Sequence, residues 1–178
     1  MAKNAAQNLA VNKVFMYLSL VVAVLLFVVG GLALWAHNFT SNMVRSELSA
    51  QKIYFPEKGS QGFDAAEYPT LQKYAGQLVD SPEKAHAYAN DYIGHHLKAV
   101  AGGKVYAEVS TEARKDPTNQ TLQQQKATLF QGETLRGILL TSGYGFGTLG
   151  KIAGVAAVVA FVGSGALLLL AAVFRTRI

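Results

Sequence analysis

The stretch "GFGTLG", Gly145 to Gly150, fits G-x-G-x-x-G, a pattern whose glycines can bring backbone N–H groups up to a pyrophosphate. That chemistry needs a strand before the turn, a helix and a second strand after it, and an acidic residue about 20 positions on for the ribose. The run Gly137 to Ser142 could serve as the first strand. Leu170, however, stands where the acidic residue belongs, inside an uncharged segment. Only Arg175, Thr176, Arg177 and Ile178 follow Phe174, so the second strand has no place, and a dinucleotide site is not expected.

Other reactive side chains are equally scattered. Asp91 and His95 stand one helical turn apart, as do Tyr92 and His96, but two ligands do not make a metal site and no further residue has matching spacing. The expectation is therefore ordinary solvated or hydrogen-bonded histidines, with His37 next to a candidate membrane segment and His86 alone. Ser60, Ser81, Ser110 and Ser142 lie outside any G-x-S-x-G. Glu108 and Glu112, with Arg114 and Lys115, read as a solvated face. Cysteine is absent, which excludes disulfides, thiolate catalysis and cysteine-held metals. No catalytic residue, cofactor site or metal site is expected, and the chain reads as a non-enzyme.

The elements around these residues are clearer. Val14 to Ala36 and Ile152 to Phe174 contain no charged residue, and each is long enough as a helix to cross a hydrocarbon core of about 30 Å. Tyr17 and Trp35 near the ends of the first segment, Lys151 before the second, and Arg175 and Arg177 after it suit the membrane interface. A secretory signal fits the first segment less well, because the apolar run is too long and Leu34-Trp35-Ala36 is a poor cleavage site. Neither segment carries an ionisable group for a proton relay or ion path.

Lys3, Lys13, Arg175 and Arg177 flank the two segments with no acidic residue beside them, so both termini are expected in the cytoplasm of a two-pass protein. The expected organisation is a tail over 1–13, spans over 14–36 and 152–174, an extracytoplasmic helical domain over 37–151 and a tail over 175–178. Four of the 16 lysines and arginines lie in the tails, which leaves 12 against all 11 acidic residues in the intervening domain. The net charge of +5 is a topology signal and not a nucleic-acid footprint.

Within the domain, the first helix is expected to continue past Ala36, with Met43, Val44, Leu48 and Ile53 near one face and Pro56 and Gly59 ending it. A short helix is expected from Tyr68 to Val79, with Leu71, Tyr74, Ala75 and Leu78 as its apolar face. Ser81-Pro82-Glu83 reads as an N-cap, a proline at the first position and a carboxylate on the helix dipole. That helix should end at Gly102-Gly103 and bury Ala85, Ala89, Tyr92, Ile93, His96 and Val100. A further helix covers about Val105 to Lys115. Asp116-Pro117 then reads as the N-cap and first position of one long helix reaching Phe174.

On that helix Gly143, Gly147, Gly150, Gly154, Ala157, Ala160 and Ser164 follow one another at intervals of three or four. They form a small-residue face of the kind that lets another membrane helix approach closely. The fold class expected is all-α, with two transmembrane helices flanking a small helical extracytoplasmic domain and the second span continuous with a long upstream helix. The function expected is an accessory or scaffold subunit of a larger membrane complex, with membrane lipid and other membrane-protein subunits as partners and no nucleic acid. The alternative is an extracytoplasmic sensor. The short tails leave little room for a cytoplasmic output domain, so a sensor would have to borrow one.

"QKIYFPEKG" (Gln51 to Gly59), "LQKYAGQ" (Leu71 to Gln77), "AGGKVYAEVS" (Ala101 to Ser110) and "LFQGETLRGILL" (Leu129 to Leu140) resemble stretches of small actinobacterial membrane proteins with two membrane spans. The resemblance implies a bacterial plasma membrane and no catalytic activity. The chain departs from that family in "SGYGFGTLG", Ser142 to Gly150, where the family carries bulkier aromatic residues.

Overall fold

The computed structural model describes residues 2–178, and side chains from residue 7 onward, so the Lys3 side chain lies outside the described residues. The fold is all-helical, with no strand among the described residues. Helix α1 is Ala2–Ala50. Helix α2 covers 82–100 and contains a π-helical segment at Tyr88–Ile93. Helix α3 is Tyr106–Lys115, and α4 is Gln120–Arg175, with a second π-helical segment at Leu139–Gly145. Two of these helices, α1 and α4, are long and apolar enough to cross a membrane. The chain divides into two compact units, one of Met1–Thr40 with Leu149–Ile178 and the other of Ser41–Thr148.

In the first unit α1 and α4 run antiparallel, and the pairings follow one register. Asn12 Nδ2 donates to the Arg177 carbonyl at 3.3 Å, and Phe15 stacks on Phe174 at 5.6 Å. Ser164 Oγ donates to the Ala23 carbonyl at 2.8 Å, Phe27 meets Phe161 edge-on, and His37 Nδ1 lies 2.8 Å from the Gly150 carbonyl. As numbers rise along α1 they fall at the same rate along α4. The uncharged runs 14–36 and 152–174 therefore lie opposite each other over their full length. Lys13 falls at the same end as Arg175, and His37 at the same end as Lys151.

The second unit is organised around Phe55, Phe63, Leu71, Val79, Val109, Leu129 and Leu139, all fully buried. Val44 and Leu48 of α1 join this core, as their helical spacing predicts. Ser81 caps α2 by accepting from the Lys84 N–H, and Gly102 and Gly103 close it in the left-handed region at φ 61° and 87°. Helices α2 and α4 pack antiparallel. Gln125 Nε2 donates to the Val100 carbonyl and Arg136 Nε to that of Ala89, and Gly143 faces Ala85.

Helix α1 ends at Ala50, short of the stop expected at Pro56 and Gly59, with Lys52 in the left-handed region at φ 53°. Three further expectations need correction. The helix predicted from Tyr68 to Val79 reduces to a single 3₁₀ turn at Gln72–Tyr74. Pro69 supplies no N–H, Gly76 sits at φ 68°, and Leu78 forms an antiparallel bridge with Tyr54. Tyr54-Phe55-Pro56 is thus extended because this loop pairs with it. The N-cap of α4 is Asn119, whose side chain accepts from the Leu122 N–H, while Asp116 ends α3. The third correction concerns α2, where Leu97 and Ala101 are buried in place of His96 and Val100. A π segment carries an extra residue in its turn, so the buried face continues one position later in sequence.

Candidate functional site

Small side chains decide where the helices approach each other. Gly143, Gly147, Gly150, Ala157, Ala160 and Ser164 are all buried, and Gly154 is half-buried. In the second unit, a Cβ on Gly143 would lie 2.8 Å from that of Ala85, and one on Gly147 would run into the ring of Pro82. In the first unit, Ala157 and Ala160 face inward and Ser164 reaches the Ala23 carbonyl. Ser164 adds a buried hydrogen bond to an interface otherwise held by close packing. The face that the sequence marks for docking is occupied by other residues of the same chain.

At one end of this seam Gly150 and Gly154 make room for an imidazole. A Cβ on Gly154 would lie 2.9 Å from His37 Nδ1, and that nitrogen is hydrogen-bonded to the Gly150 carbonyl. A carbonyl only accepts, so Nδ1 carries the proton and Nε2 is the other ring nitrogen. His37 lines an open groove of about 630 Å³ together with Leu34, Lys151, Gly154, Val155, Val158 and Val159. Tyr17 and Trp35 are exposed, with Trp35 stacked on Phe39 at 5.5 Å, and Lys151, Arg175 and Arg177 are also exposed.

The second unit holds two polar clusters that sequence spacing does not reveal. Arg136 lies at the centre of the first. Its Nε donates to the Ala89 carbonyl at 2.9 Å, Nη2 to Asn90 Oδ1 at 3.1 Å and Nη1 to both Glu133 oxygens. Asn90 Nδ2 in turn contacts His86 Nε2 at 3.1 Å. Beside this cluster is a cavity of about 220 Å³, smaller than the ~300–1,000 Å³ usual for a cofactor or drug-sized ligand.

In the second cluster, His95 Nδ1 is 3.0 Å from the Tyr68 hydroxyl and 3.1 Å from Glu67 Oε1. Burial pushes the Tyr68 phenol above its ordinary 10.0, and the Glu67 charge adds to the effect. An activated nucleophile or base needs the opposite shift, so the arrangement holds a neutral phenol in place and does not prime it for reaction. Among the described residues, no three His, Asp or Glu come together as metal ligands.

Tyr88 and Tyr92 extend the second cluster into a series of edge-on and tilted ring contacts with Phe55, Phe63 and Tyr68, and burial raises both phenols. Below the ordinary value of 10.0 these phenols are protonated in both folded and unfolded chains. Above it the unfolded chain releases protons first, so stability falls as pH rises through the folded values. The unfolding midpoint of the second unit should therefore drop steeply above about pH 10. Tyr88→Phe should flatten that slope by about one proton in an alkaline melting series. An unchanged slope would mean that Tyr88 ionises alike in both states.

Fold and site together define an all-helical protein with two apolar helices long enough to cross a membrane, paired along a small-residue seam. Comparison with protein-family models, with curated proteins and with solved structures returns no match.

Proposed function

We propose that the chain is a non-catalytic protein of a bacterial plasma membrane, with both termini in the cytoplasm and residues 37–151 outside. There it serves as an accessory or scaffold subunit of a larger membrane complex. The observation that carries the membrane location is the register between α1 and α4. Two uncharged runs lie opposite each other, their flanking charges fall at common ends, and bulky side chains such as Phe27, Leu32, Val159 and Leu169 face outward at 63–71% exposure. In water that surface would far exceed the few hundred Å² of apolar patch a soluble monomer tolerates.

The accessory role is supported by what the second unit contains. Its polar clusters tie α4 and the 67–68 loop to α2, and the Tyr68 phenol is shifted away from reactivity. Because the small-residue face is filled from within, a partner would dock on the outward faces of the spans or on the exposed Val105 and Phe130 of the second unit, beside the half-buried Tyr106.

Two measurements test this reading. A reporter active only outside the cytoplasm should work when fused after Gly103 and fail after Ile178, and the chain should resist alkaline extraction from membranes. The reverse reporter pattern would overturn the orientation, and extraction into the soluble fraction would overturn the location. Gentle solubilisation should recover the chain in a stoichiometric complex with other membrane proteins. An isolated monomer or dimer would instead favour a sensor.

A further inference from the structure

We propose that His86 is a pH-sensitive latch between α2 and α4. Its neutral ring completes the hydrogen-bond chain that ties the π segment of α2 to Arg136, and protonation of the ring breaks that chain. The inference uses neither the membrane location nor the accessory role proposed above.

The direction of a hydrogen-bond chain is set by the members that can play only one role. A guanidinium only donates and an ionised carboxylate only accepts. Arg136 Nη1 donates to both oxygens of Glu133, and Nη2 lies 3.1 Å from Asn90, so the Asn90 atom facing the guanidinium has to be the carbonyl oxygen. The NH₂ end of the same amide is then the one 3.1 Å from His86 Nε2. An NH₂ group only donates, so Nε2 accepts and carries no proton. The ring is neutral, with its one proton on Nδ1.

A proton on Nε2 would set two donors against each other across that contact. Reversing the Asn90 amide offers its oxygen to the imidazolium but turns its NH₂ group on Arg136 Nη2, so the conflict moves one link along and does not disappear. Swinging the ring away gives up the link outright, and the Tyr144 ring, 4.5 Å from that of His86, already stands on one side. Either way the half-buried Asn90 keeps only one of its two partners, and the group left over is costly. Asn90 lies in the π segment of α2, whose Ala89 carbonyl also accepts from Arg136, so the link lost is part of what holds that segment to α4.

Other charged groups near the ring are of both signs. Glu83 and Asp91 of α2 and Lys73 of the 3₁₀ turn line the same cavity as His86, together with Tyr74 and Tyr144. They act on the ring directly, whereas the latch acts through Asn90, and this difference separates the two effects by experiment. The sign follows from linkage. An unfolded chain takes up the proton without breaking the chain, so acid favours unfolding through His86 and the stabilisation is present only while the ring is neutral.

The test is thermal unfolding of the full chain in detergent at about pH 7.5 and about pH 5, on either side of the ordinary imidazole range. His86→Gln supplies an amide that can accept from Asn90 and does not titrate. On acidification the unfolding constant of the wild type should rise about fivefold more than that of His86→Gln, the worth of one net hydrogen bond. In an Asn90→Ala background, which keeps Glu83, Asp91 and Lys73, that difference should vanish. Two-bond nitrogen–proton NMR of isotope-labelled histidine in the wild type should show His86 at the higher pH as the neutral ring protonated on Nδ1. This readout needs no variant to fold. Equal acid responses of wild type and His86→Gln would overturn the latch, as would a difference that survives in Asn90→Ala, or a His86 ring carrying its proton on Nε2 at the higher pH.

Discussion

Gly147→Leu is expected to destabilise the second unit by about 3 kcal/mol or more, at the upper end of the cost of overpacking a core. In a unit of this size that lowers the thermal midpoint by about 10–20 °C. A Cβ alone already meets the Pro82 ring, which is rigid and begins α2, so no side-chain rotation can clear the space. Gly147→Ala should therefore destabilise as well, although alanine in a helix is ordinarily better than glycine by about 1 kcal/mol. Gly137 provides the opposite case on the same helix. Apart from its chain neighbours and the backbone of its own helical turns, no atom lies within 4 Å of a Cβ built there, so Gly137→Ala should raise stability by up to about 1 kcal/mol. Thermal melts of the full chain in detergent, followed by circular dichroism, read both signs. Equal effects at 137 and 147 would show that close approach to α2 is not what glycine provides at 147.

The contrast between these two glycines shows what the sequence can and cannot reveal. Spacing identifies the face on which Gly143, Gly147, Gly150, Ala157, Ala160 and Ser164 stand, because the helical period is local. What covers that face is non-local. The upper part meets Pro82 and Ala85, more than fifty residues earlier, and the lower part meets α1 near Ala23. The spans are readable for the same reason, since their length and lack of charge are properties of a window. Their mutual register follows from pairings such as Ser164 with Ala23, which no window contains.

The departures in the second unit have a shared origin. Leu71, Tyr74, Ala75 and Leu78 have helical spacing, but Pro69, the positive φ of Gly76 and the Tyr54 bridge override it. In α2 the expected stripe is correct up to Ile93 and one residue early beyond it, because helical spacing assumes a constant turn and a π segment intervenes. No residue between Tyr88 and Ile93 signals that segment by type. Its stabilising partner, Arg136, lies on α4, and only the assembled structure brings them together.

That partnership is the basis of the remaining large effect, the expected loss of about 2–3 kcal/mol in Arg136→Ala. Gly94 N–H already reaches the Ala89 carbonyl across the π turn, and Arg136 Nε supplies a second donor to the same oxygen. Nη2 fixes Asn90 in the next position, and Glu133, one turn away on α4, holds the guanidinium in line. Removing the side chain leaves the half-buried Asn90 amide oxygen and the second lone pair of Ala89 without their donors, a larger penalty than losing a surface ion pair. Arg136→Lys should recover less than half of the loss. A single ammonium on a flexible stem cannot present three fixed N–H directions to a carbonyl, an amide and a carboxylate. A double-mutant cycle with Asn90→Ala should give a coupling energy of about 1 kcal/mol or more. Coupling near zero, with full recovery by lysine, would mean that Arg136 contributes only its charge and that the π segment stands without it. A positive coupling would place α2 and the 120–138 part of α4 in one cooperative unit, locked where the helical turn is widest.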